Sequence, residues 1–144
     1  MKEHRINVRV RYSETDQMGV VYHASYIPYF EIGRVEWLRH LGISYKLMEQ
    51  QGVALPIVSM KVDYRRPARY DDLLTIVTRF KSQEGVKIAF DCEIRSEQDE
   101  LLTTAHFLLV FVDINTGKPC TPTAEVLQLL DTIHQSSNDS TLHS

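Results

Sequence analysis

From Arg5 to Tyr12 the apolar residues Ile6, Val8, Val10 and Tyr12 alternate with Arg5, Asn7, Arg9 and Arg11, the period of a strand with one buried face. The alternation returns in Val58, Met60, Val62 and Tyr64, in Leu74, Ile76, Thr78 and Phe80, and from Val86 through Ile88, Phe90, Cys92 and Ile94. Each of these predicts a further half-buried strand. Short turn-forming segments, Ser82 to Gly85 and Ser96 to Asp99, separate the later strands and predict an antiparallel meander. Leu101 to Asp113 turns continuously apolar from Phe107 to Val112, which predicts a strand covered on both faces, central in the sheet or at a subunit contact.

Between the first and second strands the period changes. Ile27, Phe30, Arg34, Trp37, Leu38 and Leu41 follow helical spacing within residues 24–41, and Tyr29, Ile32, Gly33 and Val35 add apolar or small residues on the other sides. A helix apolar nearly all round is normally buried. Pro28 fits its first turn and Gly42 its end. Ser44 caps a short second helix that Gly52 closes, and a last helix runs from Ala124 to about His134. One early strand, a buried helix and four more strands predict an α+β domain over residues 1–134, an antiparallel sheet of about five strands curled around a central helix. The polar residues 135–144 are expected to form a disordered tail.

Composition narrows the function classes. A chain of 144 residues fits one domain, and its net charge of -3 supplies no positive field to gather a nucleic acid backbone. No apolar run reaches membrane-spanning length, and the charged start MKEHRINVRVRY is unlike a signal peptide, so no membrane insertion and a cytoplasmic location are expected. Cys92 and Cys120 form no C-x-x-C pair, and His106 has no carboxylate or cysteine at metal-ligand spacing. Free thiols, no metal and no cofactor are the expectation.

Polar groups with few local structural excuses gather from Tyr12 to His23, the connection into the buried helix. Asp16 shares a loop with Gly19, and a helix N-terminus follows within a few residues. The first N–H groups of a helix lack intrahelical partners and favour a negative charge or a developing oxyanion. A carboxylate facing such donors across a gap is the layout of a reaction site.

The string RYSETDQMGVVYHASYIPYFEIGRVEWLR resembles the signature of the 4-hydroxybenzoyl-CoA thioesterase family, in particular the bacterial branch associated with the Tol–Pal envelope system. The resemblance implies the hot-dog fold, a sheet wrapped around one helix, and hydrolysis of an acyl-CoA to a carboxylate and free coenzyme A. It implies that Asp16 is the catalytic aspartate, as nucleophile or as general base for water, flanked by Tyr12 and His23. The backbone around Tyr22, His23 and Ala24 matches the helix start that polarises the thioester carbonyl. Hot-dog thioesterases hold the nucleotide end of coenzyme A with basic side chains near the surface, which makes Lys61, Arg65, Arg66 and Arg69 candidates for its phosphates. Acyl carrier protein is a second possible donor, and a homodimer or homotetramer is expected, because a partner commonly completes the exposed sheet edge and pocket walls.

A thiolate leaves at neutral pH with little protonation, a thiol pKa being about 8.5, so one carboxylate and oriented donors suffice for such a site. Glu31 and Glu36 are the alternative carboxylates, since another branch draws its carboxylate from the central helix; a pairing of Glu31 with Arg34 or Arg39 is the plainer reading. The rival functions are a non-catalytic module binding acyl-CoA or acyl carrier protein, and a hot-dog hydratase or dehydratase.

Overall fold

The computed structural model describes residues 3–143, with side chains as far as Ile133. Strand β1 (Glu3–Arg9) leads through two short 3-10 turns, Tyr12–Glu14 and His23–Ser25, into helix α1 (Tyr26–His40). Helix α2 (Tyr45–Gln50) and the short β2 (Val53–Ala54) follow, then β3 (Ile57–Tyr64), β4 (Leu73–Glu84), β5 (Lys87–Arg95), β6 (Leu101–Val110), β7 (Val112–Asp113) and α3 (Ala124–His143). Five strands form one antiparallel sheet in the order β1-β4-β5-β6-β3, and β2 pairs with β7 apart from it. The meander of β4, β5 and β6 and the interior place of β6, between β5 and β3, agree with the sequence pattern. The small β2–β7 pair was not legible in it.

The sheet wraps one side of α1, which packs chiefly on β1 and β4. Trp37 stacks on Phe80 and meets Phe90 edge-on, while Phe30 lies against Phe107, so one helix reaches three strands. The approach is closest at Gly33. A Cβ there would lie 2.7 Å from both Ile76 Cγ2 and Thr78 Oγ1, atoms held by central β4, so only hydrogen fits. Pro28 sits in the first turn of α1, and Gly42 follows its end with φ +89°, as the sequence predicts. Ser44 caps α2 by accepting from Leu47 N.

Three expectations change. Strand β1 ends at Arg9, and Tyr12, read as the last residue of its buried face, turns out on a 3-10 turn with 79% of its surface exposed. The chain bends there because Val10 and Asp71–Asp72 of the facing loop exchange backbone hydrogen bonds and close the ladder. Helix α1 is buried on its sheet side alone: Pro28, Glu31 and Ile32 face outward. The backbone of α3 continues past His134, its expected end; the tail expected over 135–144 lies outside the described side chains.

Alternation assigns the two sheet faces. His4, Thr78, Cys92, Ala105 and Val62 form one row across all five strands on the helix side. Glu3, Arg79, Asp91, His106 and Lys61 form the neighbouring row on the opposite face, where Arg79 bridges Glu3 and Glu93 and His106 meets Asp91. Glu31, free to pair with Arg34 or Arg39 by spacing, has no ion pair among the described residues; Arg39 pairs with Glu36 instead.

Replacing Gly33 by alanine is expected to force the helix off β4 and destabilise the fold by about 1–3 kcal/mol, read as a lower midpoint in urea unfolding.

Candidate active site

The loop ahead of α1 is a tight reversal. Asp16 N donates to Val20 O (2.8 Å), Gly19 N donates to Asp16 O (3.1 Å), and Gly19 turns the chain with φ +78°. Thr15 bridges to Val21 and Val20 to Arg69, fastening the reversal to the loop between β3 and β4. Within it the Asp16 side chain accepts from Met18 N at 2.8 Å and more weakly from Val20 N at 3.4 Å, both on Oδ1. Oδ2 has no hydrogen-bond partner among the described residues. The local turn thus aims the carboxylate with one oxygen and leaves the other open.

Glu14, which sequence reasoning passed over, holds this loop to the helix. Its side chain accepts from Arg11 N (2.8 Å), pairs with the Arg11 guanidinium and accepts from Tyr29 Oη at 2.7 Å. Its carbonyl takes the N–H of Tyr22 at 3.0 Å. Burial pushes the Glu14 carboxyl up, but the Arg11 amide, the Tyr29 hydroxyl and the Arg11 guanidinium together bring it below the usual range. The same contact raises the Tyr29 phenol, burial first and then the Glu14 charge. The pattern R-x-x-E at a 3-10 start is the available signal, the Glu14 carboxylate reaching back three residues to the Arg11 N–H and guanidinium.

Asp16, Val20, Val21, His23, Tyr26, Tyr64, Arg65, Arg66 and Pro67 line one hollow of about 250 Å³. His23 stands on its rim with the ring edge-on to Tyr64 (4.7 Å between centroids), and Tyr64 Oη donates to His23 O. Tyr26 packs against Tyr64 and accepts Ala68 N on its hydroxyl, so the floor is aromatic and fixed. Tyr26 opens the helix and Tyr64 closes a strand, and no spacing in the sequence pairs them.

The predicted site residues separate into two groups. Asp16, His23, Arg65 and Arg66 come together at the hollow, with Arg66 paired to Glu100. Tyr12 does not line it: its ring lies edge-on to Tyr70 at 5.8 Å. Lys61 is also elsewhere, on the outer sheet face in a second hollow with His106 and Asp91, because it is an odd step of alternation away from Tyr64. Arg69 lies beside the loop through its backbone, its N–H donating to Asp72 Oδ2. Of the three amides expected to face a substrate carbonyl, Tyr22 N–H is engaged by Glu14 O; those of His23 and Ala24 have no backbone acceptor among the described residues.

Residues 10–130 match the model of the thioesterase-like superfamily. The acyl-CoA thioester hydrolase YbgC of Escherichia coli O6:H1 is 42% identical over 112 residues, covering 78% of this chain and 84% of that protein. The crystal structure of a DHNA-CoA thioesterase from Staphylococcus aureus superposes with a TM-score of 0.92 at 28% identity, covering 97% of this chain and 96% of the other. A 4-hydroxybenzoyl-CoA thioesterase in complex with 4-hydroxybenzoyl-CoA shares the fold, with a TM-score of 0.80 at 19% identity over 90% of this chain and 99% of that one.

Glu14 is held ionised in the fold, so its stabilisation is full above the ordinary carboxylate pKa of about 4.3 and lost as pH falls through its lowered folded value. Tyr29→Phe removes a donor to that charge. It is expected to lower stability near pH 7 by about 1.5–3 kcal/mol, with the gap to the parent narrowing in acid, as measured by urea melts from pH 7 down to pH 3.

Proposed function

The chain belongs to the thioesterase-like superfamily, and from that premise we propose that it hydrolyses acyl-CoA thioesters through the free oxygen of Asp16. The supporting observation is that Asp16, with one carboxylate oxygen free of hydrogen-bond partners among the described residues, lines a hollow together with His23 and Tyr26 of α1. A thioester seated there places its carbonyl oxygen toward the amides of His23 and Ala24, which stabilise the oxyanion formed on attack. Asp16 either attacks the carbonyl carbon itself, giving a mixed anhydride that water then opens, or removes a proton from the water that attacks. In both routes the carbon–sulfur bond breaks and coenzyme A departs as a thiolate. A single turnover in oxygen-18 water separates them, since the anhydride route can carry unlabelled Asp16 oxygen into the first product. His23, on the rim, is suited to orient that water.

Arg65 and Arg66 follow β3 directly and line the hollow, which supports a role in holding the phosphates of coenzyme A; Lys61 lies on the opposite face of the sheet. The free edge of β3 bears the exposed apolar side chains Val58, Met60 and Tyr64, a row that invites a second copy to extend the sheet. The reading is accordingly a homodimer or larger homo-oligomer. Acyl carrier protein as donor and a cytoplasmic location belong to the same reading; among the described residues no helix is long and apolar enough to cross a membrane.

Asp16→Asn keeps the turn acceptor but removes the base and nucleophile. It is expected to lower kcat by about 100- to 10,000-fold in a thiol-release assay on acyl-CoAs. In that assay Arg65→Ala and Arg66→Ala should raise KM and Lys61→Ala should not; a folded Asp16→Asn enzyme with normal turnover overturns the mechanism. Solution mass is expected at twice the chain mass or more at micromolar concentration, and a monomer by light scattering contradicts the edge-pairing reading.

A further inference from the structure

The two amides that lack a backbone acceptor among the described residues, His23 N–H and Ala24 N–H, belong to consecutive peptide units at the entry to α1. A peptide unit is planar, and in its trans form the C=O and N–H point in opposite directions. Whatever grips the oxygen therefore aims the hydrogen at the other end. Tyr22 O, in the first unit, accepts Ser25 N at 2.8 Å, a bond made within the turn itself. His23 O, in the second, accepts Tyr26 N from the same stretch of chain and also the hydroxyl of Tyr64 at 3.1 Å.

Among the described residues, the Tyr64 contact is the one hydrogen bond to these two units that comes from outside residues 22–26. Tyr64 closes β3, and its ring is steadied on two sides, edge-on to His23 with centroids 4.7 Å apart and to Tyr26 at 5.2 Å. The hydroxyl is thereby held on the His23 carbonyl although 43% of the residue is exposed. Tyr64, His23 and Asp16 line the same hollow. A carbonyl that accepts two hydrogen bonds polarises its peptide unit, which makes the N–H at the other end a stronger donor.

We propose that Tyr64 is a positioning residue for thioester hydrolysis: by donating to His23 O it aims and polarises the Ala24 N–H that receives the oxyanion. This rests on the thioesterase reading. Tyr64 Oη gives its hydrogen to the peptide and not to the substrate, so it acts through the backbone. Its effect falls on kcat rather than KM, because negative charge builds on the carbonyl oxygen only after the substrate is bound.

The test uses the full chain, its Tyr64→Phe variant, and whichever of acetyl-, octanoyl- and benzoyl-CoA the parent hydrolyses. The matching ketone, with a methylene in place of the thioester sulfur, is a probe that binds without being cleaved. Phenylalanine keeps the ring contacts with His23 and Tyr26 and removes only the hydroxyl. Tyr64→Phe is expected to lower kcat by ~10-fold with KM within twofold, a smaller loss than removing an oxyanion donor outright, because the N–H remains. The carbonyl stretch of the bound ketone, read by difference infrared spectroscopy with a carbon-13 label, should move to higher frequency in this variant, since weaker donation polarises the C=O bond less. Tyr64→fluorotyrosine keeps the hydroxyl and makes it a stronger donor, so at about pH 6, with the phenol protonated, it should move the band the opposite way. An unchanged kcat, a rise in KM alone, or a loss of kcat with an unmoved carbonyl band overturns the proposal, the last by reducing Tyr64 to a packing contact. A parent inert toward all three thioesters would instead remove the hydrolase reading, and this inference with it.

Discussion

The close seating of α1 in the curve of the sheet sets the rest of the molecule. At Gly33 the helix approaches until Ile76 and Thr78 occupy the space a side chain would need, and Trp37 and Phe30 then reach across to β4, β5 and β6. Shape complementarity of this kind fixes both the depth and the direction of the helix, because a packed interior tolerates little displacement. The helix start is thereby brought to the β3 end of the sheet, where Tyr26 meets Tyr64. A reactive carboxylate needs only to be hung beside that point.

Glu14 does the hanging. Its side chain is held by Arg11 and Tyr29 and its carbonyl by Tyr22 N–H, so three points of the loop and helix converge on one residue two positions before Asp16. The Asp16 turn can then be short and locally closed, with Oδ1 taken by the turn and Oδ2 left for chemistry. Such a division suits a reaction with a good leaving group, in which positioning and oxyanion stabilisation contribute more than elaborate proton relays. The cysteine in the core takes no part: burial pushes the Cys92 thiol up to about 12, far from the thiolate a nucleophile requires.

Polarity is distributed unevenly between the sheet faces. The outer face is a lattice of opposite charges, with Arg79 and Arg95 both on Glu93 and His106 on Asp91, which keeps that side wetted and paired. The inner face is apolar apart from His4 and a few hydroxyls. The edge strand β3 combines both characters, with Lys61 outward and Met60 and Tyr64 toward the helix side.

Periodicity by itself determined the elements: alternation marked the strands, helical spacing marked α1, and Gly42, Ser44 and Gly52 marked its end and the next helix, because those signals are local backbone chemistry. The loop with Asp16, Gly19 and His23 was legible as a unit for the same reason, its turn being closed within a few residues. Which residues meet was decided by the tertiary structure. Tyr12 left the expected buried face when the ladder closed at Val10, and Lys61 parted from the hollow because it lies an odd step along β3 from Tyr64, on the other face. The Glu14–Tyr29 and Tyr26–Tyr64 contacts join groups through packing between elements distant in sequence, and no local pattern encodes a distance that the sheet's curvature sets.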